Sequence, residues 1–123
     1  MTKRLRKRNP FRDAINGIIV SYLSERNLRI HVALSVVAVA LGAWLRLSVA
    51  EWCWVVLSIA LVITVELVNT AIEAWIDVVS PSEHPLAKKA KDAAAGAVLV
   101  VATFALAISA IIYIPKLWKL VAG

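Results

Sequence analysis

A stripe of carboxylates and one carboxamide interrupts an otherwise apolar helical stretch. The segment VELVNTAIEAWID (Val65–Asp77) continues a run from Trp52 that carries no charge. At roughly 100° per residue, Glu66, Asn69, Glu73 and Asp77 fall within an arc of about 80° on one face of a helix. Ionisable groups at membrane depth are costly, so a functional reading comes first. Glu66 sits deepest in the apolar run and suits a general base. Glu73 and Asp77 follow on the same face, with Asn69 between. They offer the hard oxygen donors that Mg²⁺ prefers, above all when substrate phosphates complete its shell. Glu25 reaches a similar depth from the preceding helix, and Lys91 and Asp92 add a cation and an acid from the following one. The rival reading is structural, with these groups pairing with N-terminal arginines to staple helices together. Four polar residues on one stripe beside a basic loop favour function.

The elements that must position these groups are all helical. The chain has 123 residues and is 61% hydrophobic, with a mean hydropathy of +0.79 that exceeds that of an ordinary soluble domain. Three apolar stretches are expected to span a bilayer, over about residues 30–47, 51–79 and 86–114, the last with no charge from Ala93 to Ile114. Ahead of them, Phe11, Ala14, Ile15, Ile18, Ile19, Tyr22 and Leu23 recur at helical spacing among charged residues. This predicts an amphipathic surface helix over about residues 10–27, started by Pro10. The expected architecture is all-α: a basic tail over residues 1–9, then one membrane unit over 10–123. Trp44, Trp52 and Trp54 crowd the first turn and fit an interfacial aromatic belt. Pro81 and Pro85 end the second span, and the small residues after Asp92 suit close helix approach. Three short spans enclose little, so oligomerisation is expected.

Charge sets the orientation. The net charge is +6, and eight of the 14 Lys and Arg residues precede residue 30. Lys88, Lys89 and Lys91 cluster in the second connection, whereas the first offers only Arg46. The N-terminus and the Pro81–Lys91 connection are therefore expected in the cytoplasm of a multi-pass cell-membrane protein. Anionic headgroups and nucleotide phosphates are better partners for this charge than nucleic acid. The basic N-terminus lacks the apolar core and cleavage site of a secretory signal, and the lone Cys53 allows no internal disulfide. No phosphate-binding glycine loop or kinase catalytic-loop motif is present, and Gly17, Gly42, Gly96 and Gly123 are scattered. His31 and His84 lack companions for zinc, and His31 reads as a polar residue where the first span begins.

Residues 66–77, together with HPLAKKAKDAAAGAV (His84–Val98) and ERNLRIH (Glu25–His31), closely resemble the small prokaryotic diacylglycerol kinase family, which includes undecaprenol kinases. The likeness covers roughly residues 11–115. The resemblance implies a homotrimer of three-span protomers with a surface helix, transferring the γ-phosphate of ATP to a lipid alcohol at the cytoplasmic interface. It implies that Glu66 is the catalytic base, supported by Asn69, and that Glu25 and Glu73 bind the metal and ATP. Lys91 and Asp92 match nucleotide contacts, as does the connecting loop at Ser82 and His84, and Asp77 extends the ATP corner. The chain departs from one branch of the family in placing Ser82 where that branch has an acid and Asp13 where it has an aromatic nucleotide contact. The Glu25–His31 and His84–Val98 segments look like the undecaprenol kinase branch, with diacylglycerol as the alternative substrate.

Two other classes compete with a Mg²⁺-dependent lipid kinase. A small proton-coupled transporter would use Glu66 without a nucleotide corner, and Glu25 and the Lys91–Asp92 pair count against it. A non-catalytic membrane subunit would use the stripe as interhelical glue. Topology tests the kinase reading without appeal to resemblance. On a Cys53→Ser background, Ser48→Cys should react with an impermeant thiol reagent on intact cells, and Ser82→Cys only once the cells are opened. The reverse pattern would strand the acidic stripe on the side without ATP.

Overall fold

The computed structural model describes residues 7–123, so most of the basic tail, including Lys3, Arg4 and Arg6, lies outside the described residues. Four helices follow in order: α1 (Pro10–Ser24), α2 (Arg26–Trp44), α3 (Val49–Val79) and α4 (Pro85–Ala122). Among the described residues there is no strand. The last three helices are long and apolar enough to cross a membrane.

Each helix boundary has a local cause. Asn9 caps α1 by accepting a hydrogen bond from the Arg12 N–H at 3.2 Å, and Pro10 supplies the first turn. The helix stops at Ser24 because Glu25 turns extended, at φ −108° and ψ 112°. From α2, the Arg29 guanidinium Nη1 then donates to two open carbonyls of that last turn, Tyr22 O at 3.1 Å and Leu23 O at 2.9 Å. A cation at a helix C-terminus satisfies orphan acceptors and meets the negative end of the dipole. The surface helix expected to reach residue 27 is therefore shorter. The first membrane helix starts earlier than residue 30, and Glu25 is the corner between them.

The α2–α3 turn is a Schellman closure. Leu47 N donates to Gly42 O at 3.2 Å and Arg46 N to Ala43 O at 3.3 Å, with Arg46 in the left-handed region at φ 55°. Ser48 then opens α3 with a capping box: its hydroxyl accepts from Glu51 N at 3.2 Å, and the Glu51 carboxylate accepts from Ser48 N at 2.9 Å. The same carboxylate meets Lys116 Nζ of α4 at 3.1 Å. The first and second spans thus end and begin within a few residues of their expected limits.

The third span runs well past its expected end. Pro115 lies inside α4, which continues to Ala122. A proline normally breaks a soluble helix, but membrane helices tolerate it because neighbouring groups re-satisfy the freed backbone. Lys116 on the following position is held to Glu51, which keeps that turn against α3.

Packing is concentrated at the turn end. Leu47, Val55, Ile112 and Tyr113 form its buried cluster, flanked by Leu41, Trp52 and Ile108. The Tyr113 hydroxyl donates to Ala38 O at 2.6 Å, joining α4 to α2 across α3. Elsewhere Val36, Val37, Leu99, Val100, Leu106 and Ile111 are mostly exposed. Such surfaces need no protein cover when hydrocarbon is the solvent. Of the expected tryptophan belt, Trp44 and Trp54 face outward, and Trp52 packs on the cluster. The small residues of α4 are not all used within the chain, since nothing lies within 4 Å of where a Gly96 Cβ would stand.

Gly42 is used. A Cβ there would stand 2.8 Å from Leu47 Cδ1, 3.0 Å from Trp52 Cη2 and 3.2 Å from Tyr113 Oη. Gly42→Leu should overpack this closure at a cost of about 1–3 kcal/mol and lower the thermal midpoint in detergent. Gly17→Ala, with no atom within 4 Å, should leave the midpoint unchanged or raise it, because alanine is the better helix former.

Candidate active site

The site lies at the opposite end from the turn, where α1 crosses α3. A cleft of about 900 Å³ opens between them, lined by Asp13, Asn16 and Glu25 on one side and Thr70, Glu73 and Asp77 on the other. Glu25 enters it because the backbone breaks at that residue, which carries the side chain off the α1 periodicity. Glu73 and Asp77, one turn apart on α3, enter it on helical phase alone. Of the carboxylates predicted from sequence, the structure thus gathers Glu25, Glu73 and Asp77 around one space.

Glu66 is set apart. Its residue is only 3% exposed, and it is not among the residues lining the cleft. Glu25 and Glu73 remain close enough to act on it as like charges. Its Oε1 stands 3.1 Å from Nε2 of His31 on α2. The ring nitrogen is within ion-pair distance but off the line of a good hydrogen bond, so Oε1 is a buried acceptor with no hydrogen-bond partner among the described residues. Asn69, a turn further along, donates from Nδ2 to Glu73 Oε1 at a long 3.4 Å, and its buried Oδ1 also lacks a partner. Buried polar atoms are rarely left unpaired, so two on one stripe point to an absent partner.

The remaining predicted residues divide. Lys91 Nζ crosses from α4 to Asp77 Oδ1 at 2.6 Å and so stands at the cleft's edge. Asp92 instead pairs with Lys88 on the exposed side of α4. Ser82 lies in the exposed connection, its carbonyl accepting from the Ser80 hydroxyl at 3.0 Å. His84 caps α4, with Nδ1 accepting from Leu86 N at 3.1 Å. Ser82 and His84, carried past the cleft's edge by the proline-bounded connection, and Asp92, turned towards Lys88 on α4, are not brought to the cleft. Sequence reasoning missed two contributors, Arg29 and His31. Arg29 gave no signal short of knowing where α1 ends. His31 did, as an ionisable residue within a membrane span, and was read as a boundary residue instead.

Among the described residues no group of three or more His, Cys, Asp or Glu side chains is gathered to hold a metal ion. The cleft still suits Mg²⁺. Its donors are carboxylate oxygens with an unpaired amide oxygen nearby. Mg²⁺ commonly takes only one or two protein carboxylates, with waters and phosphates supplying the rest.

A second, apolar groove of about 480 Å³ runs between α2, α3 and α4 from His31 to Tyr113, with Ala38, Val62 and Ala105 among its walls. The molecule thus carries a carboxylate-bearing cleft between α1 and α3 and a separate apolar groove that reaches His31, the neighbour of Glu66.

The description "Prokaryotic diacylglycerol kinase" belongs to a family model that matches residues 12–113, a span that includes every helix bearing the cleft. The chain is 42% identical to the undecaprenol kinase of Bacillus subtilis (strain 168) over 107 residues, which cover 87% of each chain. It is 38% identical over 111 residues to the diacylglycerol kinase of Synechocystis sp., covering 89% of this chain and 63% of that longer protein. Identity to the diacylglycerol kinase of Escherichia coli (strain K12) is 29% over 103 residues, or 84% of this chain and 81% of that one. With residues 12–113 matched by the family model, this chain belongs to the prokaryotic diacylglycerol kinase family.

Proposed function

We propose that this protein is an integral-membrane lipid kinase that transfers the γ-phosphate of ATP to a membrane lipid alcohol, with undecaprenol as the favoured acceptor. The observation that carries this reading is the buried Glu66 carboxylate beside a cleft shared by Glu25, Glu73 and Asp77. Membership in a lipid kinase family and 42% identity to an undecaprenol kinase support it. Diacylglycerol is the second reading, supported by 38% identity to a protein of that activity.

The chemistry follows from the layout. Phosphoryl transfer demands positioning and charge neutralisation more than covalent chemistry from the protein. ATP phosphates enter the cleft between α1 and α3, where Glu25 and Glu73 would hold Mg²⁺, which supplies the positive charge that phosphates need. Lys91, at the cleft's edge on Asp77, adds a cation near them. The lipid hydroxyl approaches from the apolar side, gives its proton to Glu66 and attacks the γ-phosphorus. Asn69 holds Glu73 in place. Ser82 and His84 would contact the nucleotide if the connection closes over it, and Asp92 if its Lys88 partner yields to the phosphates.

The remaining features are part of the same proposal. The N-terminus and the α3–α4 connection face the cytoplasm, where ATP is. The single membrane unit assembles as a trimer, which would cover exposed apolar residues such as Val68, Trp75 and Val78 on α3.

Purified protein in detergent with ATP, Mg²⁺ and equal undecaprenol and diacylglycerol should form lipid phosphate, chiefly undecaprenyl phosphate. Formation of neither product would end the kinase reading. In that assay Glu66→Gln keeps shape but cannot take up the hydroxyl proton, so turnover should fall at least about 100-fold with ATP binding retained. Near-normal turnover would remove Glu66 from the mechanism. Glu25→Gln and Glu73→Gln should each raise the Mg²⁺ and ATP requirements together and leave the lipid requirement alone. A variant defective only toward lipid would place that carboxylate elsewhere.

A further inference from the structure

Glu66 cannot serve as a base merely by being a carboxylate. Its side chain is 4% exposed, on a flexible two-carbon stem, and one oxygen must face the lipid hydroxyl while the other is occupied. Within its own helix the stripe offers no donor to it: Asn69 donates to Glu73, and the Thr70 hydroxyl donates to the Glu66 backbone carbonyl at 3.0 Å. Among the described residues, the polar side chain that reaches Oε1 comes from another helix: His31 of α2, with Nε2 at 3.1 Å.

His31 is itself well placed to hold still. It lies less than two turns into α2, past the Glu25 corner. The Ser35 hydroxyl donates to its carbonyl at 2.7 Å, tying the backbone of that turn. Its ring is 22% exposed and lines the apolar groove, whereas Glu66 is not among the groove's lining residues. The ring thus stands between the groove and the carboxylate.

We propose that His31 is a positioning residue for Glu66. Its Nε2–H donates to Oε1 in the working state, which pins the carboxylate and presents Oε2 to the hydroxyl of the lipid alcohol. The present off-line approach tightens when substrates bind, as hydrogen bonds in substrate-free sites commonly do. Orientation of a functional group by a second residue is typically worth 10–100-fold. This inference rests on Glu66 being the base.

The test uses full-length protein in detergent, with lipid phosphate formation as readout. His31→Ala should lower kcat by about 10–100-fold with little change in the KM for ATP. His31→Gln, whose amide N–H reproduces the donor, should recover most of that loss. On a Glu66→Gln background, His31→Ala should add little further loss, because the two residues act as one unit. Thermal midpoints of all variants separate a positioning role from a folding one. If Glu66→Gln disables the enzyme but His31→Ala leaves kcat within about twofold, this inference falls and the base stands. If His31→Gln is as slow as His31→Ala at an unchanged midpoint, donation is not the role and the inference also falls. If Glu66→Gln is itself active, the base reading fails first and takes this inference with it.

Discussion

Two hydrogen bonds from one arginine decide where everything else can go. The Arg29 guanidinium closes the C-terminal turn of α1 by binding the carbonyls of Tyr22 and Leu23. Those carbonyls lie in an exposed turn, where a hydrogen bond from a charged donor is worth about 1.5–3 kcal/mol. The closure bends the chain at Glu25 rather than letting one helix run on. It folds α1 back over α3 and makes the cleft. Without the bend, Glu25 would follow the amphipathic phase of α1, and the carboxylates of α3 would face lipid.

The two ends of the bundle answer different demands. At the turn end, the capping box, the Glu51–Lys116 pair and the Tyr113–Ala38 hydrogen bond tie three helices together around a small apolar cluster. At the other end the polar atoms are under-paired, notably Glu66 Oε1 and Asn69 Oδ1. Unsatisfied groups of this kind are a cost to folding and a resource for binding. The arrangement keeps the under-paired groups on α3, a helix whose far end is well anchored.

How much of this could be read from the sequence varies by element. The α3 stripe was legible because a single helical period places Glu66, Asn69, Glu73 and Asp77 together, whatever packs against them. The span limit near Pro81 was legible from proline chemistry, and the turn before Glu51 from the break in the apolar run at Arg46. The corner at Glu25 was not, because Arg29 acts across the break on a helix that precedes it, and propensity sees no such contact. The partnership of His31 with Glu66 joins residues on separate helices, and its register depends on how α2 rotates against α3. The end of α4 was not legible, because the apolar run stops at Ile114 while the helix carries on through Pro115 to Ala122.

Because α3 is one unbroken rod, it converts sequence separation into depth. Glu51, with its Lys116 partner, belongs at one bilayer surface. Along a rise of 1.5 Å per residue, Glu66 lies about 22 Å from that level, Glu73 about 33 Å and Asp77 about 39 Å. Against a hydrocarbon layer of about 30 Å, Glu66 is submerged by several ångströms while Glu73 and Asp77 have emerged. An uncharged alcohol can sink that far; the phosphorylated lipid, with its new negative charges, cannot remain there. On the proposed mechanism, charge itself therefore drives the product outward from the place where it forms.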